Sequence, residues 1–348
     1  MDVRTMAASI YDVAAEAGVS IATVSRILNN SGTVSQKKTQ AVYQAMEKLH
    51  YEPNQFARGL VKQRSDMIGV YLLGGTSVFD SSYSVGLLKG IQNVLMYRNK
   101  CMALIVDPPD CRKRLKDTPY FMEMVRQRRI DGLILSAPMQ ELIPEQVISE
   151  LAQMKFPVTY IGQRDDERFC SVYAQFIEYH LDMIRQLRGR GHRKILMYLG
   201  EFHRRYFLQI QARCREQWPD VELCTVFFGG AVRTVQQYRA DIQHYVLKNG
   251  CTAVCISDAE NGGTAILGAA AQLGIQVPRQ LSIVAVTWRY EEGEQVYPRL
   301  SAYLVPAEDM GVGAANLLLQ QLDGGEIEKS CLEYKTVFIE RDSICEIE

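Results

Sequence analysis

From Met67 onward, short apolar runs bounded by turn residues alternate with amphipathic stretches of helical period, and few folds accept that pattern. A strand that is apolar throughout must be covered on both faces, which parallel sheets achieve with crossover helices. Runs at Met67–Leu73, Met102–Val106, Gly132–Leu135 and Val158–Ile161 predict one series of strands, with helices at about Ser84–Arg98 and Thr118–Gln127. A second series runs through Ile195–Leu199, Glu222–Phe228, Ala253–Ile256 and Ser282–Val286, with helices near residues 174–189, 204–217, 233–249 and 260–273. Two series predict two Rossmann-like lobes, with a ligand cleft at the carboxyl ends of the strands.

The first 52 residues follow another plan. Ser9 and Asp12 form a capping-box pattern, and Ile10, Val13, Ala14 and Ala17 then share one helical face. Gly18 permits a tight turn and Ser20 caps a second helix, from Ile21 to about Leu28, that buries Val24, Ile27 and Leu28. Ser35 is expected to cap a third helix with Val42, Met46 and Leu49 inward. Two helices joined by Ala17-Gly-Val-Ser20 and closed by a third predict a helix-turn-helix. Small and polar side chains at the start of the second helix suit it to a major groove. Thr23 and Ser25 can hydrogen-bond phosphates, Arg26 can offer two donors to a guanine edge, and Ile21 and Ala22 suit thymine methyl groups.

Charge is consistent with that division. Residues 1–65 carry eight Lys/Arg against five Asp/Glu, a balance of +3 within a chain whose net charge is -1. A basic head on an acidic body suits a polyanion-binding module. The length of 348 residues, 47% of them apolar, predicts two or three packed domains. No run approaches the roughly 18 apolar residues needed to span a bilayer, and no basic-then-apolar leader opens the sequence, so a soluble, cytoplasmic protein without a membrane partner is expected. Nine cysteines, none in a C-x-x-C pair, fit reduced and mostly buried thiols.

The segment Tyr11-Asp-Val-Ala-Ala-Glu-Ala-Gly-Val-Ser-Ile-Ala-Thr-Val-Ser-Arg-Ile-Leu-Asn29 resembles the head of the LacI/GalR family of bacterial transcriptional regulators. Tyr51-Glu-Pro-Asn-Gln-Phe-Ala-Arg-Gly-Leu60 resembles that family's hinge. The resemblance implies an N-terminal all-α helix-turn-helix head and an α/β core of two lobes like those of periplasmic binding proteins. The implied boundaries are a head at 1–52, a hinge helix and linker at 53–66, an N-terminal lobe at 67–162 plus 291–324, and a C-terminal lobe at 163–290 plus 325–348. Crossings between lobes are placed near Gly162, Tyr290 and Gly324. The implied DNA-contacting set is Ser20, Ile21, Ala22, Thr23, Ser25, Arg26, Asn29, Tyr51, Asn54, Ala57, Arg58 and Leu60. Leu60 would wedge into the minor groove. The hinge is too short to be a stable helix alone, so it is expected to order when two copies pack on DNA.

The implied partners are an operator duplex, a second copy of the chain and a small-molecule effector, with a sugar among the classes considered. Carried over position by position, Tyr83, Ser136, Arg205, Ser257, Asp258 and Trp288 would face the effector. Here the pattern departs from the family. Ser257 replaces the Asn of an Asn-Asp pair, and Ala285-Val-Thr-Trp288 stands where Gly-Phe-Asp-Asp is usual. Trp288, with Tyr83 and Phe228, then forms either a stacking wall or part of a packed hinge. Control by a ligand therefore stands beside a second reading, a degenerate pocket with control by a protein partner or by expression level. No phosphate-binding Gly signature or catalytic constellation appears, so no cofactor, metal or enzyme activity is expected; Asp165-Asp166-Glu167 reads as a solvated loop. His192 is expected to end a helix as a cation complementing its dipole.

Overall fold

The computed structural model describes residues 8–28, 33–52, 64–72, 79, 81–106, 119–136, 143–162, 167–229, 233–259, 261–325, 327 and 330–347. The chain divides into two compact units, Met1–Asp66 and Met67–Glu348.

In the first unit, helices α1 (Ile10–Glu16), α2 (Ile21–Leu28) and α3 (Gln36–Lys48) enclose a small core. The Ser9–Asp12 capping box is reciprocal: the Ser9 amide donates to Asp12 Oδ2 at 2.8 Å and the Asp12 amide donates to Ser9 Oγ at 3.4 Å. Gly18 takes φ +63°, where a side chain is strained, and this turns α1 into α2. Val13, Val24 and Val42 are fully buried where the three helices meet, with Ala14, Ile27 and Ala45 around them. Ser35 precedes α3 but its side chain makes no capping bond, contrary to expectation. Its carbonyl instead accepts from the Lys38 and Thr39 amides, and the first turn closes without the hydroxyl.

The second unit contains two six-stranded sheets. The first uses β1 (Met67–Leu72), β2 (Cys101–Ile105), β3 (Gly132–Ser136), β4 (Val158–Ile161), β5 (Cys170–Ala174) and β11 (Cys331–Tyr334), all parallel, in the order β11-β5-β4-β3-β1-β2. The second uses β6 (Lys194–Gly200), β7 (Glu222–Phe228), β8 (Ala253–Ile256), β9 (Ser282–Thr287), β10 (Ser301–Leu304) and β12 (Val337–Ile339) in the order β12-β10-β9-β8-β6-β7. Only the β10–β12 pairing among these is antiparallel. Without its late edge strand, each sheet has the doubly wound order 2-1-3-4-5, and the reversal of winding opens a crevice at the carboxyl ends. Helices α4 (Ser82–Tyr97), α5 (Tyr120–Arg126) and α6 (Glu145–Gln153) belong with the first sheet. Helices α7 (Phe176–Gly189), α8 (Arg204–Gln217), α9 (Val235–Asp241), which continues as a π-helical stretch over Ile242–Lys248, and α10 (Asn261–Gln272) follow with the second.

The lobe boundaries differ from the sequence expectation at all three crossings. The segment after Gly162 forms β5, whose ladder to β4 (Thr159 opposite Cys170, Ile161 opposite Val172) keeps it in the first sheet. The segment after Tyr290 forms β10, laddered to β9, so it stays in the second sheet. Helix α11 (Ala307–Leu322) then packs on α4 and the first sheet, and β11 pairs with β5 before the chain returns as β12. The crossings therefore fall near Gln175, Pro306 and Thr336. Strands β5 and β10 carry polar residues, Ser171 and Ser301, and main-chain pairing rather than an unbroken apolar run fixes their sheet.

Helices α4 and α11 approach closely because glycines face each other. A Cβ on Gly90 would collide with the Glu308 carbonyl and lie 2.9 Å from the Val312 amide, and one on Gly311 would meet the Leu87 carbonyl. His192 is buried, not exposed as a cation: Nδ1 lies 3.0 Å from Thr252 Oγ1 and Nε2 3.2 Å from the Cys345 carbonyl. Burial lowers its pKa, so the neutral ring bridges β8 to the C-terminal segment.

Candidate DNA-binding head and effector cavity

Helix α2 is held by its buried side and presents the other. Val24 and Ile27 point into the core, while Ser20, Ala22 and Arg26 are exposed and Ile21 is 40% exposed. Ala22 and Arg26, one turn apart, share a face, so a small residue lies beside the long donor. At the start of α2 the Ser20 and Thr23 hydroxyls are 2.9 Å apart and the Thr23 amide donates to Ser20 Oγ at 3.2 Å. Thr23 and Ser25 are half-buried, lower on the helix flank than Arg26. Tyr51 packs against the head core and its amide donates to the Met46 carbonyl at 2.9 Å. Asn29, Asn54, Ala57, Arg58 and Leu60 lie outside the described residues.

In the second unit, strand ends from both sheets converge on a cavity of about 390 Å³. Ser136, Gly162 and Ala174 come from the ends of β3, β4 and β5; Gly200, Phe228 and Ser257 from those of β6, β7 and β8. Four of the six expected effector residues (Tyr83, Ser136, Ser257 and Trp288) line this space. The rings of Tyr83 and Trp288 lie 4.7 Å apart, joining α4 of one lobe to the end of β9 in the other. Tyr83 is hydrogen-bonded to Ser136, and burial pushes its phenol up to about 12.

Arg205 and Asp258 are not on the wall among the described residues. The Arg205 guanidinium lies over the Tyr206 ring, 4.5 Å from its centroid, and donates to the Tyr206 hydroxyl. Tyr206 itself lines the cavity. The Asp258 carbonyl accepts from the Gly263 amide in the first turn of α10.

The sequence reading missed an aromatic group on the wall. Phe176, at the start of α7, stacks on His203 at 4.3 Å and on His180 at 4.2 Å, and Tyr179 and Tyr206 complete the group. Burial lowers His180 to about 3 and His203 to about 4, so both rings are neutral at physiological pH. His180 Nδ1 is 2.8 Å from the Phe176 carbonyl, whereas His203 Nδ1 is buried with no hydrogen-bond partner among the described residues. Glu292 is buried and accepts from the Thr287 hydroxyl at 2.8 Å, the Trp288 amide at 3.0 Å and Arg289 Nε at 3.0 Å. It fixes the loop carrying Trp288 without lining the cavity.

Residues 9–54 match the family model for bacterial regulatory proteins of the lacI family, and residues 184–344 match the periplasmic binding protein-like domain. The first unit thus carries a lacI-family DNA-binding domain, and the second a periplasmic binding protein-like domain. It is 26% identical to catabolite control protein A of Staphylococcus aureus over 336 residues, covering 93% of this chain and 95% of that protein. It is 27% identical over 354 residues to the HTH-type transcriptional repressor PurR of Erwinia tasmaniensis, covering 97% of each. In fold it is similar to the lac repressor dimer bound to operator and an anti-inducer (TM-score 0.79, 19% identity, 98% of this chain and 100% of that one). It is also similar to the CelR–cellobiose complex (TM-score 0.65, 22% identity, 97% and 99%). The lacI-family domain at residues 9–54 and the full-length similarity to transcriptional regulators agree on a DNA-binding transcriptional regulator. No helix among the described residues is long and apolar enough to cross a membrane.

Proposed function

We propose that the protein is a cytoplasmic repressor that reads a pseudo-palindromic operator as a dimer and answers to a small molecule held between its lobes, with no enzymatic step. The observation that carries the DNA reading is the face of α2 on which exposed Arg26 stands one turn from exposed Ala22. In a major groove Arg26 can donate twice to one guanine edge while Ala22 lets the helix approach. Ser20 and Thr23, whose hydroxyls already meet at the helix start, are positioned to pass a hydrogen bond to phosphate. Ile21 supplies an apolar contact.

The ligand reading rests on Tyr83, Ser136, Ser257 and Trp288 sharing one cavity between the two sheets. A molecule filling it touches both lobes and so favours one angle between them, which is how differential affinity becomes a change of state. This favours ligand control over the degenerate-pocket alternative.

Replacing Arg26 tests the DNA reading. Arg26→Ala is expected to weaken specific binding by about 1–3 kcal/mol and relax selectivity at one base pair per half-site. The check is quantitative footprinting on a selected operator at fixed salt. An unchanged footprint and unchanged base preference would remove Arg26 from the recognition surface.

A further inference from the structure

We propose that Trp288 and Tyr83 form a latch between the two lobes, and that Glu292 is the positioning residue that sets it. The latch biases the protein toward the lobe angle at which the two rings meet. The proposal rests on the reading of lobe angle as what governs operator binding, and adds the residues that regulate it.

Each ring is fixed within its own lobe. Tyr83 lies in the first turn of α4 and its hydroxyl is bonded to Ser136 at the end of β3, so it moves with the first sheet. Trp288 directly follows β9 and moves with the second sheet. Their centroids are 4.7 Å apart and their planes are inclined by 50°. Ring pairs attract over about 4.5–7 Å, so a relative shift of ~3 Å ends this contact. Rings free to follow one another would stay together at every lobe angle. These two are tethered, so turning about the crossings near Gln175, Pro306 and Thr336 makes or breaks the contact.

The tether of Trp288 is built from buried charge. Glu292 is 5% exposed, and burying a carboxylate is costly unless its oxygens are paired. It accepts from three successive residues: the Thr287 hydroxyl at 2.8 Å, the Trp288 amide at 3.0 Å and Arg289 Nε at 3.0 Å. The other end of the same turn is held by Arg341, whose side chain is 3% exposed. Its guanidinium donates to the Tyr290 carbonyl at 2.6 Å and the Leu300 carbonyl at 2.8 Å, and the Leu300 amide donates to the Gly293 carbonyl at 2.8 Å. A turn pinned at both ends transmits a lobe rotation to the ring it carries. Because the contact exists at one angle and not at others, it stabilises one lobe state over the rest, which is the condition for shifting their populations. An aromatic pair shifts such an equilibrium about two- to tenfold.

The test uses full-length protein carrying Trp218→Phe, which leaves Trp288 as the single tryptophan. Acrylamide quenching reads access to Trp288, and titration with a selected operator duplex reads the lobe state. Tyr83→Leu is expected to raise the quenching constant about twofold and to change operator affinity about two- to tenfold. Glu292→Ala is expected to do the same, and to add nothing further in the Tyr83→Leu background, since both remove one contact. Glu292→Gln, which keeps an oxygen facing the Trp288 amide, is expected to restore both readouts. Should Glu292→Ala fail to fold, Thr287→Val, which removes one bond to the carboxylate, carries the same expectation at smaller size. Unchanged quenching in Tyr83→Leu overturns the latch and leaves the cavity reading intact. Altered quenching with operator affinity unchanged overturns its regulatory role. Additive effects of Glu292→Ala and Tyr83→Leu, or a Glu292→Gln protein as altered as Glu292→Ala, overturn the positioning role of Glu292. A parent protein that selects no operator overturns the DNA-binding function itself, whatever the quenching shows.

Discussion

Three histidines of the second unit are held neutral by burial, and their titration has a direction. His180 and His203 are lowered to about 3 and about 4, and His192 is also lowered. When the chain unfolds, each regains an ordinary pKa near 6.5, so between pH ~6.5 and ~4 the unfolded state binds more protons. Stability contributed by the neutral rings is complete above that window and is lost as pH falls through it. Each histidine contributes a slope of at most ~1.4 kcal/mol per pH unit. The second unit should therefore melt at progressively lower temperature from pH 7 to pH 4.5, measured by calorimetry, and His203→Phe should flatten part of that slope. A melting temperature constant over this range would contradict the burial described. At the same scale, part of the cavity was legible in the sequence and part was not. Tyr83, Ser136, Ser257 and Trp288 lie at strand ends or the first turn of a helix, where position alone indicates a cleft. Phe176 and His180 were missed because the first crossing was placed at Gly162, before β5, and His203 because nothing local marks a histidine after β6 as part of the wall. That error removed the strand whose end delivers Phe176.

Elements were legible wherever local chemistry fixes a boundary. The Ser9–Asp12 box, the Gly18 turn and the 3.6-residue periodicity located α1 and α2, and α8 was predicted over the residues it occupies. Strands β5 and β10 and helix α6 were not predicted. The strands are short and carry polar residues, and each is flanked on one side by an edge strand from later in the chain, β11 or β12. The packing of α4 on α11 was equally invisible, since nothing local to Gly90 or Gly311 announces a facing carbonyl. Gly90→Ala should make that packing measurable. The added methyl meets backbone rather than a yielding side chain, so a loss of about 1–3 kcal/mol, or more if the helices cannot separate, is expected in urea denaturation of the second unit. A neutral or stabilising effect, as for an ordinary exposed helix position, would show that the helices are further apart.

At the scale of the whole molecule, the two sheets repeat one winding order and place their carboxyl ends around a shared cavity, while a separate three-helix unit carries the recognition helix. The backbone between the lobes passes from Ala174 to Phe176 at one crossing and through Val305 at another, and all three residues line the cavity. A ligand there contacts the segments about which the lobes would turn. The coupling makes a further prediction: a ligand that quenches Trp288 should change operator affinity, and the operator should change ligand affinity by the same factor. Titrating each in the presence of the other checks this, and ligand binding indifferent to saturating operator would exclude coupling.

Selection from a randomised duplex library by the full-length protein, with sequencing of the bound pool, addresses α2 and its pairing most directly. The account predicts enrichment of two inverted half-sites about one helical turn, or a whole multiple of it, apart, with a guanine in each that Arg26→Ala no longer selects. A pool with no enriched sequence, or with a single unrepeated half-site, would contradict it.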